Sequence, residues 1–345
     1  MNGSSKSTMR ALVWTAPRTM EMQTQPLPAV KPDEVLIKVA SVGICGSELS
    51  GYLGHNALRV PPLVMGHEFS GEVVAVGTDV TTLRHGQSVT VFPFTGCRVC
   101  AYCVQGMPQL CVSRKLLGAH RPGAFAEYVA VPAAQVFALP PDLSWRQGAL
   151  TEPVACGVRI GELAGDVAGE AALVIGAGPI GLLAMLALQQ RGATRVFIAD
   201  LDPARLEIGA ALGGETLDPR AVDVVQVVRE ATGGLGVAVS VDAVGVAVTR
   251  RQCVNATRTL GRVILSGLHE ETSAVPVADV IRRELTLQGS FSYSPDNFRE
   301  AIVWLQEGRV PLDPWLVEAP LAEGGPWFDR LIEGPGAVAK VLLIP

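Results

Sequence analysis

Gly176-Ala177-Gly178-Pro179-Ile180-Gly181 follows an apolar run at residues 172–175 and opens a second apolar run at residues 180–191. A strand, a tight turn and a helix are expected there in that order. The first glycine makes the turn, the second lets backbone approach a pyrophosphate, and the third lets helix and strand pack closely. The helix N-terminus then faces phosphate charge. Asp200 closes the next strand-like run, 19 residues after Gly181. A carboxylate there accepts from a ribose 2′-hydroxyl and repels a 2′-phosphate, which favours NAD over NADP; Arg205 is near enough to compete with that preference. Gly176, Gly178, Pro179, Ile180, Gly181, Asp200 and Arg205 are the candidate nucleotide-binding residues. Val244 and Ser266 join them at the ends of two later strand-like runs. The bland alternative, a packed glycine turn with no ligand, does not account for Asp200. Residues 171–188 carry no charge and are about long enough to cross a bilayer, but Gly176, Gly178 and Pro179 interrupt them, so no membrane partner is expected.

Outward from this turn, residues 152–289 alternate strands and helices: strands at 172–175, 195–200, 238–244 and 262–266, and a helix at 203–212 capped by Asp202. Residues 10–132 read instead as short strands punctuated by Gly and Pro. From about 290 the pattern is mixed, with a helix at 297–306 and a last strand at 338–344. The fold class predicted is α/β, with a β-rich, barrel-like unit at the start, a doubly wound parallel sheet at 152–289 and a mixed segment from 290. A length of 345 residues suits two domains, and 48% hydrophobic residues can fill their cores. The net charge of −5, without a basic block, gives no encouragement to a nucleic-acid or acidic-membrane partner. The polar opening Met1–Thr8 reads as an extension, with no secretory signal, and the clustering of the seven cysteines points to metal binding in a reducing cytoplasm.

Four of those cysteines form Cys97-x2-Cys100-x2-Cys103-x7-Cys111. Four thiolates at this spacing can wrap a tetrahedral ion, and zinc suits them. The rival is an iron–sulfur cluster, but the fourth cysteine is too distant for the ferredoxin run and no proline follows it. A more dispersed set comprises Cys45 and Ser47 in Gly43-Ile44-Cys45-Gly46-Ser47-Glu48, His67 and Glu68 in Met65-Gly66-His67-Glu68, and Glu152 in Glu152-Pro153. A thiolate, an imidazole and one or two carboxylates make a zinc site with room for water or substrate. Taken singly, Cys45 and His67 would be ordinary core residues.

Together these features resemble the zinc-containing medium-chain dehydrogenase/reductase family. Gly66-His67-Glu68-x2-Gly71-x5-Gly77-x2-Val80 matches its zinc signature, and the likeness extends to Gly123-Ala124-Phe125-Ala126-Glu127-Tyr128 and the ending Lys340-Val341-Leu342-Leu343-Ile344-Pro345. The resemblance implies a GroES-like catalytic domain, residues 1–151 and 290–345, split around a Rossmann domain at 152–289. It also implies a catalytic zinc on Cys45 and His67, with Glu68 and Glu152 as ligands or near-ligands, and a structural zinc on Cys97, Cys100, Cys103 and Cys111. The alcohol dehydrogenases proper have cysteine at the place of Glu152, so the chain leans to the polyol branches; residues 282–290 look most like galactitol-1-phosphate dehydrogenase.

The activity implied is hydride transfer between a secondary alcohol or polyol and NAD, with the substrate hydroxyl ionised beside the metal and Ser47 passing its proton outward. Two departures stand out. Glu48 replaces the usual Asp that orients the zinc histidine, and Ser50 stands where many relatives have a relay histidine. His55 is nearby but off-register. A ketone reductase acting in biosynthesis would share every residue named, whereas a non-catalytic nucleotide-binding scaffold would not need Cys45, Ser47, His67, Glu68 and Glu152 together. Substrate choice is expected to rest on loop residues 47–59, where Arg59 could meet a phosphate, and on residues 291–293. Oligomers are common in such a family, and a homodimer or homotetramer would draw an edge strand from residues 265–287.

Overall fold

The strand Ala171–Ile175, the helix Pro179–Gln190 and the strand Arg195–Ala199 realise the pattern around the glycine turn. In the computed structural model, which describes residues 7–345, these elements belong to a six-stranded parallel sheet. Its order is Glu215–Leu217, Arg195–Ala199, Ala171–Ile175, Val237–Asp242, Thr257–Leu265, Thr286–Gly289. The chain runs outward from Ala171–Ile175 to one edge, then returns to build the other side. The order therefore reverses between Ala171–Ile175 and Val237–Asp242, and in such sheets a ligand crevice opens at the carboxyl ends of the strands at that point. Both faces of the central strand are covered: Leu173 and Val174 are fully buried in separate apolar clusters, which explains its unbroken hydrophobicity. The uncharged stretch at 171–188 is thus strand, turn and buried helix. Among the described residues no helix is long and apolar enough to cross a membrane.

Several boundaries differ from the sequence expectation for local reasons. The second strand stops at Ala199 because Asp200 turns the chain, its Oδ1 accepting the Asp202 N–H at 2.9 Å. The following helix, Pro203–Ala211, is capped by Asp202, whose side chain accepts from the Ala204 N–H. The helix expected at 297 starts two residues earlier, at Pro295, because Ser294 caps it and accepts from the Asn297 N–H.

The other large sheet has seven strands. Its path is Val136–Ala138, Ser88–Val91, Glu68–Val76, Glu34–Gly43, Lys340–Ile344, Leu316–Pro320, with Tyr128–Pro132 also pairing Glu34–Gly43. Lys340–Ile344 lies antiparallel to Glu34–Gly43, with Leu342 opposite Gly43 and Leu343 opposite Val42. The end of the chain therefore completes a sheet begun near its start, with the parallel sheet inserted between. A helix Thr151–Ala164 packs on Pro179–Gln190. One apolar cluster contains Phe92 and Phe94, Val154 and Leu182, and Tyr293 and Phe298, so the two sheets share a core where the chain passes between them.

Candidate active site and metal centres

Cys45 is the N-cap of the helix Gly46–Tyr52, and Glu48 in its first turn reaches back to accept the Cys45 N–H at 3.1 Å. The same carboxylate, fully buried, accepts the Gly66 N–H at 2.7 Å and meets His67 Nδ1 at 2.9 Å. Gly66 has φ +99°, a left-handed backbone that turns the chain so that its N–H and the next imidazole face one acid. The longer Glu48 thus both caps the Cys45 helix and orients His67. With Nδ1 engaged, His67 Nε2 is the nitrogen left for a metal.

One ligand atom each from Cys45, His67 and Glu68 lies within 4.8 Å of the others. Burial works against a charged imidazole, yet Glu48 and the Cys45 thiol outweigh it and raise the His67 pKa. A buried pocket that so favours positive charge, with sulfur, nitrogen and oxygen donors converging, fits a zinc ion. Glu152 is not one of the three converging residues. It sits in the first turn of Thr151–Ala164, and its Oε1 accepts the Tyr293 hydroxyl at 2.6 Å. Burial, reinforced by the charge of Glu68, pushes the Glu152 carboxyl up to about 7.

Sequence reasoning missed two partners here. Lys340, known only as part of a terminal motif, is buried and donates to Glu68 Oε2 at 2.7 Å and to the Ile44 carbonyl at 3.1 Å. The signal was a lone lysine opening an otherwise apolar strand. Tyr293 was expected only as pocket wall; it is fully buried, edge-on to Phe92 and stacked on Phe298. Phe291, partly exposed, carries the Arg114 guanidinium 4.8 Å from its ring centre.

Ser47 is exposed and donates to Cys45 Sγ at 3.4 Å. Ser50 is half-buried one helical turn on, and His55 is exposed. Arg59 is not the solvent-facing loop residue a phosphate would meet: it is buried, and its guanidinium donates to the Ser47 carbonyl and to Ser47 Oγ, each at 3.2 Å. Cys253 is buried and Cys156 half-buried.

Cys97, Cys100, Cys103 and Cys111 form the second group, with sulfurs within 4.8 Å of one another. The Cys97 N–H points to Cys111 Sγ at 3.4 Å and the Cys100 N–H to Cys97 Sγ at 3.3 Å. The Ser113 hydroxyl and the Cys97 N–H bring the Cys111 thiol down to about 6. Cys97 is likewise lowered by the N–H groups of Val99 and Cys100, whereas burial pushes Cys103 up to about 11; four converging sulfurs with no disulfide between them fit a closed tetrahedral zinc.

At the crevice of the parallel sheet, a Cβ on Gly181 would come within 1.6 Å of the Gly176 carbonyl oxygen, whereas one on Gly178 would meet only Arg205 Nη1, at 3.7 Å. Gly181 is thus required by packing, and Gly178 leaves open space for a ligand. Gly178 caps the helix Pro179–Gln190, with Pro179 at its first position and Ile180 next. Asp200 holds the turn, Oδ2 accepting the Ala177 N–H at 2.6 Å. Arg205 Nε is buried without a partner. Val244 lies against Gly176, and the Ser266 N–H donates to the Asp242 carbonyl at the adjoining strand end.

Comparison with known proteins agrees with this geometry. Residues 31–141 match the alcohol dehydrogenase GroES-like domain and residues 179–307 the zinc-binding dehydrogenase model. The L-galactonate-5-dehydrogenase of Escherichia coli (strain K12) is 34% identical over 323 residues, covering 92% of this chain and 94% of that one. A zinc-binding dehydrogenase of Sinorhizobium meliloti 1021 bound to NADP superposes with a TM-score of 0.91 at 32% identity, over 99% of this chain and 100% of the other. The galactitol-1-phosphate dehydrogenase of Escherichia coli does so with 0.90 at 28%, over 98% and 100%. The chain belongs to the zinc-containing medium-chain dehydrogenase/reductase family, whose GroES-like and nucleotide-binding parts it carries in full order.

Proposed function

We propose that the chain oxidises a secondary alcohol of the polyol or polyhydroxy-acid class with NAD, at a zinc held by Cys45 and His67 with Glu68 and Glu152 beside it. The observation that carries this reading is the convergence of thiol, imidazole and carboxylate within 4.8 Å, backed by a buried acid on His67. When bound, zinc supplies a Lewis acid that lowers the pKa of the substrate hydroxyl. Glu48 fixes the ring of His67, and Lys340 holds Glu68 by one oxygen. Ser47, exposed and hydrogen-bonded to Cys45 Sγ, would receive the hydroxyl proton, and the Gly-rich crevice would hold the nicotinamide dinucleotide that supplies the hydride acceptor.

Asp200 favours NAD, because its carboxylate occupies the turn a 2′-phosphate would approach; Arg205, whose Nη1 faces Gly178 and whose Nε has no partner, suits the pyrophosphate. Cys97, Cys100, Cys103 and Cys111 would hold a second, structural zinc. Residues 1–151 and 290–345 are assigned to the catalytic unit and 152–289 to the nucleotide unit. Thr286–Gly289 is an edge strand, and Val277 and Ile281 beside it are exposed, which suits pairing between copies as a homodimer or homotetramer. Seven thiols with no disulfide fit the reducing cytoplasm.

The test is NADH formation by zinc-replete protein on galactonate, galactitol, its 1-phosphate, butanediol and threonine. We expect turnover with one class and a preference for NAD over NADP of about tenfold or more in kcat/KM. Absence of turnover in both directions on all of them, with zinc bound, would overturn the proposal.

A further inference from the structure

Arg59 is a buried cation with an unusual choice of partners. Two of its donors go to one exposed residue, Ser47, through the carbonyl and the hydroxyl, and its Nε has no partner. Burying a guanidinium costs several kcal/mol unless it is paired, yet among the described residues no carboxylate lies within ion-pair distance of it. Glu48, the acid that feels its charge, accepts its hydrogen bonds from Cys45, Gly66 and His67 instead. The helix Gly46–Tyr52 makes room for the arginine: a Cβ on Gly51 would fall 2.6 Å from Arg59 Cδ. The fold thus threads a cation beneath this helix to reach a residue two positions from Cys45.

Resting on the proposed dehydrogenase reading, we infer that Arg59 is a positioning residue that sets the hydrogen-bonding state of Ser47 for proton transfer. A serine hydroxyl has one hydrogen and two acceptor lone pairs. Arg59 Nη2 fills one lone pair, and the Ser47 hydrogen is turned towards Cys45 Sγ. The second lone pair is left for the proton of the substrate hydroxyl. As that proton arrives on Ser47 Oγ, the proton Ser47 already carries turns from Cys45 Sγ to a solvent water and leaves, so the serine is neutral before and after. Arg59 neither gives nor takes a proton; its charge steadies the oxygen during exchange.

The test is a double-substitution cycle on the zinc- and cobalt-loaded protein with Arg59→Met, Arg59→Lys and Ser47→Ala. Arg59→Met is expected to lower kcat about ten- to a hundredfold, with KM within about twofold and metal content unchanged. Added to Ser47→Ala it should lower kcat no further, since both act through one hydroxyl. Arg59→Lys, which keeps the charge without the fork, should recover part of the loss and carries the test if Arg59→Met does not fold. Independently of turnover, the cobalt–thiolate absorption of Arg59→Met should shift towards that of Ser47→Ala, because without Arg59 the Ser47 hydroxyl is no longer held on Cys45 Sγ. Additive losses, or a cobalt spectrum unmoved by Arg59→Met, would overturn the inference while leaving the dehydrogenase reading intact. A wild-type protein without turnover on any alcohol would remove that reading and the inference with it.

Discussion

The two groups of candidate metal-binding side chains are assembled in opposite ways. The four-cysteine lobe gathers its sulfurs from residues 97 to 111, much of it loop, and backbone N–H groups of the same segment stabilise two of them. The Cys45 centre draws on a helix start at 45, a strand start at 67–68 and a helix start at 152, with the counter-charge from the last strand at 340. The first is a closed set of like donors. The second mixes donors and keeps a carboxylate, Glu152, outside the converging three. A local cluster of four soft donors can only be saturated by its ion, whereas an open, mixed set depends on the whole fold and leaves a position for chemistry.

That contrast breaks most readily by exchanging ligand losses. His67→Ala should reduce kcat at least about a thousandfold with little change in melting temperature. Cys103→Ser should do the reverse: it should lose one zinc equivalent and about 5–10 °C in melting temperature, and keep activity per folded molecule within about tenfold. Metal analysis, thermal melts and steady-state kinetics on both variants check this. Equal effects in the two would show that the centres are not functionally distinct.

The contrast sharpens at Glu48, which has no counterpart in the lobe. Glu48→Gln retains shape but weakens the contact to His67, and should lower zinc affinity and kcat about 10- to 100-fold. A chelator competition titration reads the affinity directly, and the cysteine lobe should retain its metal throughout.

The smallest effect is in the pH dependence of stability. The Glu152 carboxyl is raised from 4.5 to about 7 by burial and then by Glu68. The unfolded chain loses this proton above its ordinary value, while the folded chain keeps it. The stabilisation is therefore fully present below about 4.5 and is lost as the pH rises through about 7. The melting temperature of metal-free protein should fall by a few degrees between about pH 5 and pH 8 from this residue, and Glu152→Gln should flatten that fall. An unchanged slope in Glu152→Gln would place the titration on another group.

Where a site is written in consecutive residues, the sequence was sufficient. The glycine turn, the Asp202 cap, the cysteine spacing and the signature around His67 were all legible, because tight turns, caps and chelate loops constrain neighbours along the chain. Even there the ends of strands and helices shifted by a residue or two, as side chains such as Asp200 and Ser294 competed for the terminal N–H groups. The resemblance to a known family carried the meeting of Cys45, His67 and Glu68, which spacing alone leaves open.

What remained hidden was contact between residues far apart in sequence. Nothing near position 340 announces an ion pair with Glu68, nothing at 293 a hydrogen bond to Glu152, and nothing at 59 a guanidinium turned inward to Ser47 rather than outward to a phosphate. A buried charge or hydroxyl takes the nearest group that compensates its lost hydration, and which group is nearest depends on how the sheets and helices pack. Residue types and their local spacing fix the chemistry available to this chain; the closing of its last strand against Glu34–Gly43 fixes which of those groups share a pocket.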